Sequence, residues 1–255
     1  MTSFATHLEC ARCAEYYQVD TIQQTCARDG GPLLVRYDLD GIRRALPRDA
    51  LASRPQTLWR YREMLPVRRA ENVLSLGEVV TPLVSLPRLA SRLAPKGQKP
   101  GEILVKDEGR LPTGSFKARG LVLAVSMAKE LGIRHMAMPT NGNAGAAMAA
   151  YCARAGMKAT VFCPDDTPAV NVREIAMQGA AVYLVDGLID DCGKLVAEGE
   201  KSVGWFNCST LREPYRIEGK KTMGIELAEQ LGWEMPDVVF YPTGGGTGIG
   251  PGLIE

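Results

Sequence analysis

Leu111-Pro112-Thr113-Gly114-Ser115-Phe116-Lys117-Ala118 sets one lysine directly after a Gly-Ser turn, at the head of an apolar run. The approach, Ile103-Leu104-Val105-Lys106, is short and β-branched and reads as a buried strand. The exit, Ala118-Arg119-Gly120-Leu121-Val122-Leu123-Ala124-Val125, reads as a helix with a wide buried face. A lysine at such a strand-to-helix junction lies near helix amide donors and apolar walls. Desolvation there disfavours the ammonium and lowers its pKa, the condition a Schiff-base lysine needs. Taken by itself, Lys117 reads first as a solvated side chain in a first helical turn. Its neighbours decide.

Working outward, the chain alternates short β-like runs with helix-patterned segments. Met136 to Pro139, Ala159 to Cys163, Ala181 to Val185, Trp205 to Asn207 and Val238 to Tyr241 read as strands. Ala144 to Ala155, Val170 to Gln178, Cys192 to Glu200 and Gly219 to Leu231 read as the helices between them. Repeated βα units imply a parallel sheet, whose ligands bind beyond the carboxyl ends of the strands. Three loops there are polar. One carries Lys117. A second is Thr140-Asn141-Gly142-Asn143-Ala144-Gly145, whose asparagines either cap the helix or donate to a ligand. The third is Thr243-Gly244-Gly245-Gly246-Thr247-Gly248, where glycines let successive N–H groups converge on an anion. It fails the dinucleotide spacing, because Pro251 stands where the last glycine belongs, and Ser115-Phe116 excludes a nucleotide-triphosphate loop. A phosphorylated aldehyde satisfies a poised lysine, an Asn-rich loop and a phosphate cradle together.

The first residues are different. Cys10-Ala11-Arg12-Cys13 and Cys26-Ala27-Arg28-Asp29 form two knuckles before short β-like runs, the layout of a zinc ribbon with Asp29 in place of the fourth cysteine. Cys10, Cys13, Cys26 and Asp29 are therefore the candidate metal ligands, with His7 a substitute; packing alone also accounts for such a ribbon. Residues 40–75 are charged and helical in pattern. With 30 Lys and Arg against 29 Asp and Glu, the balance points to no nucleic-acid partner and no anionic membrane surface. No apolar run reaches the roughly 18 residues of a membrane span. Seven scattered cysteines and an N-terminus without signal-peptide character indicate the cytoplasm.

Lys106-Asp107-Glu108-Gly109, with Pro112 to Gly120, resembles the lysine motif of fold-type II pyridoxal-phosphate enzymes, and of the threonine synthase family among them. Gly142-Asn143, Glu213-Pro214-Tyr215-Arg216-Ile217-Glu218-Gly219-Lys220-Lys221-Thr222 and Gly244 to Gly248 match further motifs in the family's order. The resemblance implies an α/β, tryptophan synthase β-like fold: two parallel-sheet domains, the larger incomplete, and a zinc-ribbon-like N-terminal segment. The expected division is 1–38 for the ribbon, 39–75 for a helical arm, 76–115 with 202–255 for the larger domain, and 116–201 for the smaller.

By the same resemblance Lys117 holds pyridoxal 5'-phosphate as a Schiff base and then moves protons on the substrate. Asn143 hydrogen-bonds the pyridine 3'-oxygen. Gly244, Gly245, Gly246, Thr247 and Gly248 cradle the cofactor phosphate. Thr140, Asn141 and Asn143 receive the substrate carboxylate, and Arg216 the substrate phosphate, a group that suits a guanidinium fork. The implied reaction turns O-phospho-L-homoserine and water into L-threonine and phosphate, in a homodimer. Asn171 stands where some members carry a phosphate-binding lysine, and the chain ends at Glu255, short of the family's C-terminal part. A threonine or serine dehydratase-like lyase shares Lys117, Asn143 and the glycine loop without needing Arg216. An inactive truncated relative that only binds also fits.

Overall fold

In a computed structural model of the chain, residues 3–243 are described. Gly244 to Gly248, the expected phosphate cradle, lies outside them.

The N-terminal segment is an antiparallel sheet. Strands β1 (Ala5–Cys10), β2 (Tyr16–Tyr17) and β3 (Leu33–Tyr37) lie in the order β2-β1-β3. Helix α1 (Leu39–Ala45) starts where the Asp38 carboxylate accepts from the Gly41 amide at 2.8 Å. Three short 3-10 turns follow, at Arg48–Leu51, Leu58–Met64 and Ala70–Asn72. Strand β4 (Leu83–Ser85), helix α2 (Pro87–Leu93) and strand β5 (Leu104–Lys106) then form a two-stranded antiparallel ribbon with its connection.

Helix α3 (Lys117–Glu130) opens the parallel part. Every residue from Ala118 to Ala128 is buried, because α4 and α7 cover α3 on different sides. Strand β6 (His135–Pro139), helix α4 (Asn143–Ala155), strand β7 (Lys158–Pro164), helix α5 (Ala169–Met177), strand β8 (Ala181–Val185), helix α6 (Ile189–Ser202) and strand β9 (Phe206–Asn207) alternate as their sequence predicts. All pairings are parallel, in the order β8-β7-β6-β9, with Met138 opposite Val161 and Val161 opposite Val182. Gly156 closes α4 in the left-handed region at φ 67°, where a side chain would be strained.

Two expectations change. The helix predicted over Gly219 to Leu231 starts earlier and is two pieces, α7 (Tyr215–Lys220) and α8 (Thr222–Gln230). Val238 to Tyr241 is not a strand: no described segment pairs with it, and Phe240 is 93% exposed. An apolar run becomes a strand only when a neighbour takes its backbone hydrogen bonds.

α3 and α7 touch through glycine. A Cβ on Gly219 would lie 1.8 Å from the Arg119 carbonyl oxygen, and one on Gly120 would lie 2.7 Å from that of Arg216. Backbone cannot yield as a flexible side chain does. Gly219→Ala is therefore expected to cost about 3 kcal/mol or more of unfolding free energy, read as a lowered denaturant midpoint. Gly193→Ala, in α6 with open space around it, is expected to be neutral or stabilising by up to about 1 kcal/mol. Equal losses at both positions would refute the close-crossing argument.

Candidate active site

Lys117 is the first residue of α3, and the turn before it is unusual. Thr113 lies at φ 57° and Gly114 at φ 62°, so two consecutive left-handed residues throw the chain back before Ser115 returns to extended backbone. A β-branched residue in that region is strained, and strain of this kind gathers at functional sites. The Pro112–Gly114 turn packs on α4, which carries Asn143 at its first position. The Thr113 and Ser115 hydroxyls are buried without a hydrogen-bond partner among the described residues. Two orphaned hydroxyls beside a half-buried lysine are donors held ready for a polar group.

The lysine has the environment its position predicts. Desolvation foremost, then the positive charge of Arg216, pulls the Lys117 ammonium below the ordinary lysine range. Its Nζ sits 4.3 Å from the Phe116 ring centroid. The Tyr241 ring meets Phe116 edge-on at 5.9 Å, so the segment that fails to form a strand still supplies a wall beside the lysine.

The Thr140 loop is built differently from a plain asparagine cap. The Thr140 hydroxyl oxygen accepts from the amides of Gly142 at 3.1 Å and Gly145 at 3.2 Å. Thr140 thus holds the head of α4, and its side chain is already used. Asn141 and Asn143 are exposed, and neither side chain makes a hydrogen bond among the described residues. That leaves both amides available to a ligand. Gly142, at φ 144°, is covered by Asn171, whose Nδ2 lies 2.1 Å from where a Cβ would stand. The residue that replaces the expected lysine therefore touches the Asn loop.

Arg216 reaches the site through the α3–α7 glycine crossing. It is 3% exposed; Nη1 donates to the Cys208 carbonyl at 2.7 Å, and Nε has no acceptor among the described residues. Lys117 and Arg216 are brought together, and the Thr140 to Asn143 turn crowns the neighbouring α4. Sequence reasoning missed Lys220, which is 1% exposed with its Nζ 5.5 Å from the Phe116 centroid. The signal was present. Arg216 and Lys220 are four residues apart, so a helix sets two like charges on one face.

The predicted metal ligands also meet. Cys10, Cys13, Cys26 and Asp29 each offer a ligand atom, all within 4.8 Å of one another. His7 is not in this group; it stacks on Tyr16, ring centroids 3.8 Å apart.

Comparison with known proteins agrees with this geometry. The sequence profile of the pyridoxal-phosphate dependent enzyme family matches residues 74–253. Threonine synthase of Methanocaldococcus jannaschii is 38% identical over 236 residues, covering 92% of this chain and 56% of that protein. Threonine synthase of Halalkalibacterium halodurans is 39% identical over 191 residues, covering 73% of this chain and 51% of that protein. Among solved structures, a T.th. threonine deaminase superposes with a TM-score of 0.56 at 28% identity, over 67% of this chain and 53% of that one. The chain spans about half the length of the curated relatives it matches. Profile, relatives and lysine turn agree, and the chain belongs to the pyridoxal-phosphate dependent enzyme family.

Proposed function

We propose that this chain carries the lysine-bearing half of a threonine synthase, acting on O-phospho-L-homoserine and water to give L-threonine and phosphate. The observation that carries the reading is a desolvated Lys117 beside the buried guanidinium of Arg216. The residues present fit the cofactor: a lysine of lowered pKa, two orphaned hydroxyls and two unused asparagine amides surround one turn. When bound, the cofactor supplies an electron sink that stabilises a carbanion. The chain's own residues do the rest.

Lys117 Nζ is the atom to hold the aldehyde carbon. Because burial and the Arg216 charge pull its ammonium below the ordinary lysine range, it is also the candidate base that accepts and returns protons at the substrate carbons. Asn143 is the candidate donor to the ring oxygen, and the Asn141 amide with the Thr140 turn the candidate partner of the carboxylate. Arg216 is the candidate reader of the substrate phosphate, and Gly244 to Gly248 the candidate cradle for the cofactor's. Phe116 and Tyr241 exclude water from one side of Lys117.

One observation favours a second reading. Asn171 in place of a lysine removes a cation from the loop over Gly142, as a dehydratase acting on an uncharged hydroxyl would prefer. We propose further that the chain works as a homodimer in a reducing compartment, the cytoplasm. Seven free cysteines support the compartment. No helix among the described residues is long and apolar enough to cross a membrane.

Incubation with pyridoxal phosphate is expected to give a visible absorption band that borohydride abolishes, with the label mapped to Lys117. Lys117→Ala is expected to stay colourless. A coloured Lys117→Ala variant would refute the anchor. Offered separately, phosphohomoserine is expected to release phosphate, while L-threonine yields no 2-oxobutanoate. Arg216→Gln should raise the KM for the phosphorylated substrate about 10- to 100-fold, the loss of a charged hydrogen bond. The opposite product pattern assigns the dehydratase reading.

At the N-terminus we propose a structural zinc held by Cys10, Cys13, Cys26 and Asp29, a closed set without an open position. The sheet there is small, so ligation would contribute directly to its folding. Elemental analysis is expected to find one zinc per chain, and Cys13→Ser to abolish it and lower Tm by about 5 °C or more. A metal-free protein of unchanged Tm in both forms would favour the packed-ribbon reading.

A further inference from the structure

The ribbon thiols are not equivalent. Turns frame both knuckles: the Ala14 amide donates to the Cys10 carbonyl at 3.0 Å, and the Gly30 amide to the Cys26 carbonyl at 2.9 Å. Within that frame the Cys10 thiol donates to Asp29 at 3.4 Å, and its sulfur accepts from the Arg12 amide at 3.4 Å. Cys13 and Cys26 instead face each other, Sγ to Sγ at 3.6 Å, and the Tyr17 hydroxyl donates to the Cys26 sulfur at 3.1 Å. Cys13 is half-buried, whereas the other six cysteines of the chain are buried. A dissolved oxidant therefore reaches Cys13 first and finds a second thiol beside it.

The segment between the pair touches the candidate active site. Gln24 Nε2 donates to the Asn207 carbonyl at 3.1 Å, and the Val19 carbonyl accepts from the Tyr215 hydroxyl at 3.5 Å. Asn207 ends β9, one residue before the Cys208 carbonyl that holds Arg216, and Tyr215 opens α7.

We propose that Cys13 and Cys26 form a reversible disulfide, closed by a hydroperoxide and opened by a dithiol, which empties the ribbon of metal and loosens its hold on α7. Hydrogen peroxide takes the Cys13 sulfur to a sulfenic acid and leaves one water. The Cys26 sulfur attacks that sulfur, the S–S bond forms, and a second water departs. Two thiols and one peroxide thus give one disulfide and two waters; the sulfurs lose two electrons and the broken O–O bond gains them. Where a metal holds thiolates, the two protons come from the buffer. A dithiol reverses the step by exchange and ends as its own disulfide. Closing the pair shortens 3.6 Å to about 2.0 Å, and a metal loses two of its thiolates. The movement draws Cys26, and Gln24 two residues before it, off Asn207. The inference rests on the ribbon reading of Cys10, Cys13, Cys26 and Asp29 and adds its redox chemistry.

The reduced full chain is treated with a small excess of hydrogen peroxide, alkylated with iodoacetamide and digested with trypsin without reductant. Arg12 and Arg28 set the cuts, so Cys13 and Cys26 fall in one peptide, 13–28, and Cys10 in another. Peptide 13–28 is expected unalkylated and about 2 Da lighter, the two hydrogens lost, with dithiothreitol restoring it. An alkylated 13–28, or one cross-linked to the Cys10 peptide, overturns the pairing. Cys10→Ser is expected to keep the disulfide and Cys13→Ser to lose it; the native map decides where a variant fails to fold. Amide hydrogen exchange over α7 is expected to speed up about threefold or more on oxidation and to return on reduction. Unchanged exchange in a chain that carries the disulfide overturns the link to α7. Zinc is read separately, on the reduced chain. A zinc-free chain that still closes the pair refutes the metal reading alone. A zinc-loaded chain whose pair never closes, or closes without releasing metal, refutes this inference alone.

Discussion

The Arg119 guanidinium is the interaction on which the site depends. It is fully buried and grips two carboxylates with two forks. Nε and Nη2 reach Glu108 at 2.6 and 2.8 Å, and Nη1 and Nη2 reach Glu226 at 2.6 and 2.8 Å. Thr222 at 3.0 Å and Thr81 at 3.2 Å complete the shell, and Lys106 Nζ reaches Glu226 at 3.0 Å. Burial opposes ionisation of Glu226, yet Arg119 and Lys106 hold its carboxyl below the ordinary range. Two cations and two carboxylates balance, so the cluster survives burial where an unpaired charge would not. Removing one partner from such a cluster costs about 3–5 kcal/mol. The cluster joins the β4 approach, the turn before α3, α3 itself and α8. Lys117 is two residues from Arg119, so this cluster fixes the backbone from which the lysine projects.

A second constraint follows from that anchoring. With the first turn of α3 fixed, α7 can deliver Arg216 and Lys220 only by coming close, and Gly120 and Gly219 allow the approach. The same contact that packs the helices therefore imports positive charge. A charge-balanced cluster around Arg119 and the site lysine Lys117 stand on the same helix, two residues apart. The first cluster is closed to water and ligand and supports structure. The second sets Lys117 beside Arg216 and near hydroxyls that have no partner among the described residues.

Local patterns carried much of this. The apolar runs of β6 and β7 and the alanine-rich α4 are visible in sequence because burial imposes its pattern on each segment, whereas β8 shows its apolar run while half exposed. The lysine was legible through the turn and the buried helix that follows it; the strand before it, expected to be buried, is half exposed, with Val105 44% accessible. What sequence left hidden depends on distant partners. Arg119 meets Glu226 across more than a hundred positions, and no spacing rule announces that. Val238 to Tyr241 has a strand's composition but no described neighbour, and composition does not supply hydrogen bonds. Thr140 hid behind its asparagines: all three suit a helix cap, and only the geometry shows the threonine taking that role and freeing the amides.

The N-terminal sheet bears on the site as well. Tyr37, at the end of β3, donates its hydroxyl to Glu218 at 2.5 Å, and its ring lies under the Lys221 ammonium at 3.8 Å. The Tyr215 hydroxyl reaches the Val19 carbonyl at 3.5 Å. These contacts fall on α7, the helix carrying Arg216 and Lys220, and on Lys221 directly after it. At six residues, α7 is too short to be stable by its own propensity. It is held between α3 on one side and the ribbon on the other. Whatever tightens the ribbon, packing or a metal at its knuckles, therefore stiffens the cation-bearing helix without touching the reacting atoms. The small N-terminal sheet thus acts on the site as a brace, with the hydrogen bonds of Tyr37 to Glu218 and of Tyr215 to Val19 among its points of contact.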